Sequence, residues 1–509
     1  MPRPLARLLV GLVTTLTTAG LAVVAPLAPA GADDPGLEPV SSAVGDARAA
    51  LTGASGRDAS MALTGLRLAY PGLSAADRRA ADALLARPTD GFADPEQFGY
   101  TVAETAPLCG ASFCVHYVPT TTDAPAATDL DVDGVPDWVE RTLAELESVL
   151  AFEAETMGYR PPPTDGIKGG NGLFDVYLKD VGAAGLYGFC APEDQTPGER
   201  FVYSGYCVLD NDFTEFALGP EASLGVTAAH EFFHAIQFGY DATEDRWLLE
   251  STATWMEERY ADAIDDNRQY LRFGQLGRPR TPLDLFDPTG GAQYGNWLFF
   301  ELISQRFGDD AIRRIWDLVD AADDARDLYS TEAVRKVVQS RGRGFTDFYT
   351  RFAAANQAPT TFYSEGAAYR PAPVSRAVKL SPQRRQVRDT KRLDHLTSAA
   401  YRFTPTRKVG GSWRLRLAVD APPTSAGSAA TALVRGRDGR VTVRAIKLRP
   451  GGDRAITLDF AHRRVADVTL VLANASTRFK PCWTGTSYSC QGTPRDDDGD
   501  YSFAATISR

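Results

Sequence analysis

The sequence is short of several things, and each shortage excludes something. Beyond its first 32 residues no apolar run is long enough to cross a bilayer, which excludes an integral membrane segment once that leader is removed. Basic residues are outnumbered, with 54 Lys and Arg against 65 Asp and Glu and a formal net charge of −11. Bulk attraction to nucleic acid or to an anionic membrane is therefore not expected. No low-complexity tract or clear internal repeat stands out, and the length suits two or three folded units. Cysteine is limited to six and apolar content is ordinary at 44%, so sizeable cores can form without disulfide staples. Histidine is limited to five, so an ordered pair of histidines carries information.

The leader itself reads as a secretory signal over residues 1–32. Arg3 and Arg7 form the basic start, Leu8 to Leu27 is largely apolar, and Ala30-Gly31-Ala32 offers a small-residue cleavage site. Its removal takes away two positive charges and no acids, moving the net charge from −11 to −13. A membrane anchor is the rival reading, and Pro26, Pro29 and the small-residue end argue against it. The six cysteines fall into close pairs, Cys109/Cys114, Cys190/Cys207 and Cys482/Cys490. An even count in an exported chain favours disulfides within these pairs.

Two of the five histidines stand in Ala228-Ala229-His230-Glu231-Phe232-Phe233-His234-Ala235-Ile236-Gln237. This run reads as helix, and the spacing puts both imidazoles on one face, one turn apart, where they can share a metal. Glu231 lies beside them and can reach a water held on that metal. These are the ligand pair and general base of a zinc hydrolase. The bland alternative is two histidines on the half-exposed face of an ordinary helix.

A third ligand decides the type of site. The arrangement His-Glu-x-x-His-x-x-Gly-x-x-His is absent, because Gln237 and Tyr240 occupy the Gly and third His positions. The other option is a Glu from the next helix. Glu250 sits near the start of an apolar helical segment, Arg246 to Glu258, with small residues after it that allow close helix packing. It can complete a set of two His, one Glu and one water. Glu250 could instead be an acid favoured by the helix macrodipole. Glu257 and Glu258 are rival ligands, and Glu257, two turns on, could also support the ligands from behind.

At these residues, HEFFHAIQ followed by WLLESTATW, the chain resembles the gluzincin branch of zinc metallopeptidases, the thermolysin-like clan. It is most similar to secreted bacterial metallopeptidases with a Trp-x-x-Glu-x-x-Ala third-ligand segment. The specific motifs span about 30 residues, with weaker likeness over roughly residues 100–360. The resemblance implies His230, His234 and Glu250 as zinc ligands and Glu231 as the base. It also implies an edge strand beside the zinc that pairs with extended substrate. One departure matters: many gluzincins carry a carboxylate four residues after the ligand Glu, and here that position is Thr254.

Ahead of this region, Asp129, Asp131, Asp133, Asp137 and Glu140 occupy positions 1, 3, 5, 9 and 12 of a twelve-residue loop, with Gly134 at position 6. This is the ligand pattern of an EF-hand-like calcium loop. Only the exiting helix, Trp138 to about Met157, is evident, so the reading is a single structural calcium loop. An acidic turn capping that helix is the alternative. His116, in Phe113 to Val118, reads as a packed strand histidine.

The remaining elements are coarser. Helices are expected over 58–70 and 74–86, with Ser74 as N-cap. Together, residues 33–98 are either a propeptide or a permanent N-terminal subdomain. Leu173 to Leu178 reads as a buried strand, and 201–209 as a second strand near the sheet edge, with Cys190–Cys207 fixing the loop between them. The histidine helix should run from Glu221 or Ala222 to Gly239, burying Val226, Ala229 and Phe233. Further helices are expected over 248–260, 297–306 and 310–319. Tyr294 is the candidate to stabilise oxyanion charge, because similar metallopeptidases place a Tyr ahead of a helix here. An aromatic anchor for that helix is its alternative, and Tyr240 is a weaker candidate. After about Arg370, short alternating runs at 413–419, 430–434, 441–448 and 468–473 suggest a β-sandwich. Asp496 to Asp500 has poor spacing for a second calcium and reads as a solvated acidic turn.

The expectation is thus an α+β chain: signal peptide 1–32, helical segment 33–98, a zincin-like metallopeptidase domain 99–370 and an all-β sandwich-like domain 371–509. Its expected activity is that of a secreted zinc endopeptidase with structural calcium, acting on protein or peptide and not on nucleic acid. The alternative is a non-catalytic binding protein on the same scaffold. An aminopeptidase ranks lower, because no cluster for a substrate's free amine is recognisable.

Overall fold

Alternation along five strands sets the architecture of the first half. The structure is a computed structural model and describes residues 42–54, 56, 59–89 and 96–509. The signal-peptide reading falls outside the described residues. Three helices come first, α1 (Ala43–Leu51), α2 (Ser60–Ala69) and α3 (Ala75–Leu84), and the Ser74 hydroxyl accepts from the Asp77 amide at 3.2 Å as an N-cap should. Strands β1 (Leu108–Cys109) and β2 (Phe113–His116) precede α4 (Asp137–Leu150), which continues through a π-helical turn to Thr156. Strands β3 (Phe174–Lys179), β4 (Gly188–Gln195) and β5 (Tyr203–Asp210) complete one sheet in the order β1-β2-β3-β5-β4.

The two faces of this sheet serve different cores, as the period of two requires. Val176, Leu178, Cys207 and Leu209 face the core shared with the central helix α5 (Pro220–Asp241). Tyr177, Tyr206, Val208, Phe189 and Ala191 face α1–α3. The segment that reads as propeptide or subdomain is therefore a full third layer here, burying one side of the sheet. Arg87, just past α3, fastens it: the buried guanidinium reaches Asp175 at 2.5 Å, Glu193 at 2.6 Å and Asp165. His116 also pairs with Asp175, at 2.9 Å, and stacks on Tyr177, the packed role expected of it.

The second strand lies near the sheet edge as expected, one place in: the edge strand itself is β4, and β5 lies between β3 and β4. The sequence hides β4 because it contains Gly188 and Pro192, which weaken a strand signal. An edge strand tolerates proline, since one side of its backbone has no ladder to serve. The Cys190–Cys207 disulfide joins directly opposed residues of β4 and β5 and does not staple a loop. Cys109–Cys114 and Cys482–Cys490 also form as paired in the sequence.

Helix α5 is buried on all sides from Ser223 to Asp241. Around it stand α6 (Arg246–Tyr260), the short turn α7 (Ala292–Gly295), α8 (Trp297–Phe307) and α9 (Asp310–Val319), followed by α10 (Thr331–Ser340) and α11 (Phe345–Ala355). α9 shows the usual logic of an outer helix: Ala311, Ile312, Ile315, Trp316 and Val319 are buried on one stripe.

The last segment is two antiparallel-rich sheets. One runs β11-β10-β13-β8-β6 and the other β12-β9-β14-β7. In chain order these are β6 (Arg376–Leu380), β7 (Gln386–Leu393), β8 (Thr397–Pro405), β9 (Arg414–Asp420), β10 (Ser428–Gly436), β11 (Val441–Ile446), β12 (Arg454–Asp459), β13 (Val465–Asn474) and β14 (Gly499–Ser508). Their inner faces share one core, with Tyr401, Phe403, Leu470 and Leu472 against Leu415, Leu417, Tyr501 and Phe503. The fold is α+β, and the β-rich segment is a sandwich.

Two of the contacts that join the sandwich to the helical region are made by side chains of α11 and by His395. Ala353 and Ala354 of α11 pack on Ala400, Leu433 and Val471. His395 bridges two acids, Nε2 to Asp284 at 2.9 Å and Nδ1 to Asp497 at 2.8 Å. Burial works against its charge, but Asp284 and Asp497 outweigh it and push the imidazole up to about 10. Asp496 is taken by Arg478 and Ser476. The acidic turn at 496–500 is thus a latch more than the solvated loop expected of it.

Candidate metal centre

Helical spacing brings His230 and His234 together, and packing fixes which nitrogens meet. Their Nε2 atoms lie 3.2 Å apart. Glu250 of α6 places Oε2 at 3.4 Å from His230 Nε2 and 3.7 Å from His234 Nε2. All three side chains are 0–1% exposed. His230, His234 and Glu250 form a group of ligand atoms within 4.8 Å of one another.

The far nitrogens dictate what the near ones offer. His230 Nδ1 meets Glu257 Oε1 at 2.7 Å, and His234 Nδ1 meets Gln237 Oε1 at 2.7 Å. The Gln237 amide is oriented by its NH₂, which donates to the Leu249 carbonyl at 2.9 Å and to Thr252 at 3.1 Å. Both partners accept, so each neutral imidazole carries its proton on Nδ1 and turns a lone pair inward at Nε2. Two lone pairs and a carboxylate oxygen then converge in a buried space. Such an arrangement suits a cation with a preference for His and carboxylate donors, and the set of three leaves a further position open as hydrolytic zinc sites do.

The rivals for the third ligand are thereby separated. Glu257 does reach His230, but from the outer nitrogen, where it orients the ring. Thr254, which stands in place of the expected carboxylate, donates to the Glu250 carbonyl instead. Support from behind comes three residues later, on the same face of α6. Glu258 accepts from Asn267 at 2.6 Å, and burial pushes its carboxyl up to about 8.

Glu231 is buried on α5, and its Oε2 accepts from Ser60 Oγ at 3.0 Å. Gly188 lets β4 come close: a Cβ there would lie 2.8 Å from the Val208 carbonyl and 3.2 Å from Glu231 Cγ. Sequence reasoning missed Ser60, which carries no motif and lies 171 residues away. α2 does more at this edge. Ser60 Oγ accepts from the Cys190 amide at 2.9 Å, and Arg67 donates to the Pro192 carbonyl at 3.1 Å. Two backbone groups of β4 that face away from β5 are thus taken by α2 side chains.

Tyr294 lies in the neighbourhood of the site, its ring centroid 6.2 Å from that of His230. Its short helix is held by Ser251, which donates to the Gln293 carbonyl at 2.6 Å. Gly295 allows the close crossing beneath, since a Cβ there would lie 2.3 Å from the Gly274 nitrogen. Tyr240 is elsewhere: its hydroxyl accepts from the Arg160 amide at 3.0 Å, and the Arg160 guanidinium lies over its ring. That hydroxyl anchors the chain after α4, so Tyr240 is withdrawn as an oxyanion candidate.

The acidic loop gathers in space as its spacing anticipates. Asp129, Asp131 and Asp137 form one group of ligand oxygens, and Asp131, Asp133 and Glu140 another, each within 4.8 Å. Gly134 takes φ +94° at the turn. Desolvation raises the Asp129 carboxyl, but the amides of Gly134, Val132 and Asp133 hold it below the ordinary value. Desolvation first, and then neighbouring acids, push Asp131 and Glu140 up. Two other acidic groups, Asp210/Asp212/Glu215 and Glu258/Asp262/Glu365, also cluster. Asp210 is already bonded by the Gly182 and Phe213 amides, and Glu365 by Arg268.

No protein-family model matches the chain, and no curated protein matches it. Among solved structures it is similar to the pre-peptidase C-terminal domain of a collagenase from Bacillus anthracis. That match has 11% identity and a TM-score of 0.15, over 27% of this chain and 97% of the other. It is also similar to CorA, a surface-associated copper-binding protein of Methylomicrobium album BG8, at 9% identity and a TM-score of 0.16, over 26% of this chain and 98% of that one. Likenesses of this size carry no functional argument. Among the described residues, no helix is long and apolar enough to cross a membrane.

Proposed function

We propose that the protein is a secreted zinc endopeptidase of the gluzincin type, with His230, His234 and Glu250 as its metal ligands. One observation carries the reading: two inward imidazole lone pairs and the Glu250 carboxylate converge beside Glu231, with the outer nitrogens held by Glu257 and Gln237. Zinc held there would supply Lewis-acid polarisation of a scissile carbonyl and acidify water. Glu231 takes the proton of the attacking water and hands it to the leaving amine. Tyr294 donates to the carbonyl oxygen as charge develops on it. β4 is the strand along which an extended peptide pairs. The loop at 129–140 holds calcium and ties down the start of α4, taking no part in chemistry. Three disulfides support the extracellular setting.

In the arrangement described, α2 occupies outward-facing groups of β4 and Ser60 holds Glu231, so substrate entry requires α2 to move off this edge. The second reading, a binding protein on the same scaffold, draws on the complete burial of the ligand trio. Metal analysis with casein cleavage, on the wild type beside Glu250→Ala and Glu231→Gln, tests both. One zinc and cleavage in the wild type, both lost in Glu250→Ala, with zinc alone kept in Glu231→Gln, is the expected result. Full cleavage by Glu231→Gln would remove it as the base. Zinc without cleavage of any protein offered would favour the binding protein.

A further inference from the structure

The net charge of −11 conceals a sharp division. Residues 371–509 hold 25 Lys and Arg against 11 Asp and no Glu, a net of +14. Residues 1–370 hold the remaining 29 bases and 54 acids, a net of −25. The sandwich's own field is therefore strongly positive, opposite in sign to that of the whole chain.

These cations do not neutralise the acidic half. Among the described residues, every Arg or Lys ion pair of the sandwich goes to an acid of the sandwich itself, such as Arg376 to Asp389, Arg435 to Asp467 and Arg464 to Asp459. Twenty of the 25 are arginine, the side chain that grips carboxylate and sulfate with two parallel N–H bonds.

The two sheets differ in what they leave open. The outer face of β11-β10-β13-β8-β6 carries α11. The outer face of β12-β9-β14-β7 is exposed, and register places Arg414 and Arg416 of β9 and Arg388 and Arg392 of β7 on it. Between these strands runs β14, with Ser502, Ala504 and Thr506 outward, and Ala418 of β9 stands beside Ala504. The small side chains leave a shallow depression of about 400 Å³, lined in part by Arg388, Ala418, Ser502 and Ala504. Arg388 and Arg416 pair with no acid among the described residues; of the two acids that line the depression, Asp389 is taken by Arg376 and Asp420 lies at one end.

We propose that this face of the sandwich docks a linear anionic glycan, a sugar polymer bearing carboxylate or sulfate groups. Two absences on the face favour a glycan. The aromatics nearest to it, Tyr501, Phe503 and Trp413, are turned into the core, which leaves no platform for stacking bases. No large apolar side chain of β7, β9, β12 or β14 is exposed, which leaves nothing to insert into a bilayer. Bound there, the polymer holds the acidic body close to a charged matrix while its other surfaces stay free.

The test uses the full chain, with binding to heparin and polygalacturonate followed from low salt to about 0.15 M, where charges farther apart than roughly 8 Å are screened. Arg388→Glu with Arg416→Glu should weaken binding at least about tenfold at 0.15 M salt. Arg444→Glu with Lys447→Glu, on and just beyond β11 of the other sheet, makes the same change of net charge and should weaken it less than about threefold. Thermal midpoints and zinc content matching the wild type show that the variants fold, and Arg388→Gln with Arg416→Gln offers a milder pair. Equal losses in the two Glu pairs would overturn the site, leaving net charge alone. Absence of binding to both glycans at 0.15 M would overturn it as well, as would tighter binding to duplex DNA or to phosphatidylglycerol vesicles.

Discussion

The helix trio and the acidic loop offer similar donors in opposite settings. His230, His234 and Glu250 are buried, and neighbours fix them: Glu257 and Gln237 hold the rings, and α6 packs along α5. Asp129, Asp131, Asp133, Asp137 and Glu140 are exposed or half-exposed on a turn. Backbone amides of Val132 and Gly134 hold Asp129, while desolvation and then neighbouring acids push the Asp131 and Glu140 carboxyls up. The first site is built before any ion arrives, because tertiary packing has already met the cost of gathering its donors. The second has its donors in order along the chain, and a cation must offset their repulsion.

Several variants bear on that contrast. The largest effect belongs to Glu231→Gln: on the proposed reading, kcat should fall at least about 10³-fold, with metal retained, measured on casein beside zinc analysis. Next comes Glu257→Ala, which leaves the donors in place but frees the His230 ring. Zinc affinity should fall about 10–100-fold, read by competition with a chromogenic chelator. An unchanged affinity would mean that packing alone orients the ring, and the contrast would weaken.

Calcium removal should act on stability and not on the trio. On the proposed reading, a calcium-selective chelator, or Asp131→Asn with Asp133→Asn, should lower the thermal midpoint by several degrees and leave zinc content unchanged. Loss of zinc in step with calcium would show that the loop supports the helix site.

A last effect concerns the turn after α5. Burial pushes the Asp241 carboxyl up to about 7, with Asp327 and Asp320 adding to it. The folded state therefore holds a proton that the unfolded chain has lost above its ordinary carboxyl range. Stability from this group should be complete at about pH 4 and fall as pH rises towards 7, levelling off beyond. Asp241→Asn keeps the acceptor for Thr243 and removes the titration. It should gain roughly 1–3 kcal/mol over the wild type at pH 8 and little at pH 4.5, measured by urea denaturation at both values. An equal gain at both pH values would exclude the titration as its cause.

Much of the candidate site is legible in the sequence because it rests on local periodicity. The four-residue spacing of His230 and His234, and the odd positions of Asp129 to Asp133, need only a helix and a turn to place donors together. Ser74 is equally local, a cap three residues from its amide. β4 was not legible, because Gly188 and Pro192 look like breakers until the strand is known to lie at an edge. Ser60 was not legible for a different reason: a serine at a helix start has no signature of a partner 171 residues on. Tyr294 ranks above Tyr240 in sequence only by resemblance, and the packing of Arg160 on one and His230 near the other separates them physically.

The sequence by itself determined the histidine pair, the acid loop and the division of charge between body and sandwich. Each is a matter of spacing or count, and covalent geometry carries it into space unchanged. The tertiary structure alone decided that Glu257 stands behind His230 where Thr254 cannot, that α2 closes the β4 edge and that one sandwich face is left bare. Those outcomes depend on which surfaces bury each other, and burial is a property of the whole chain.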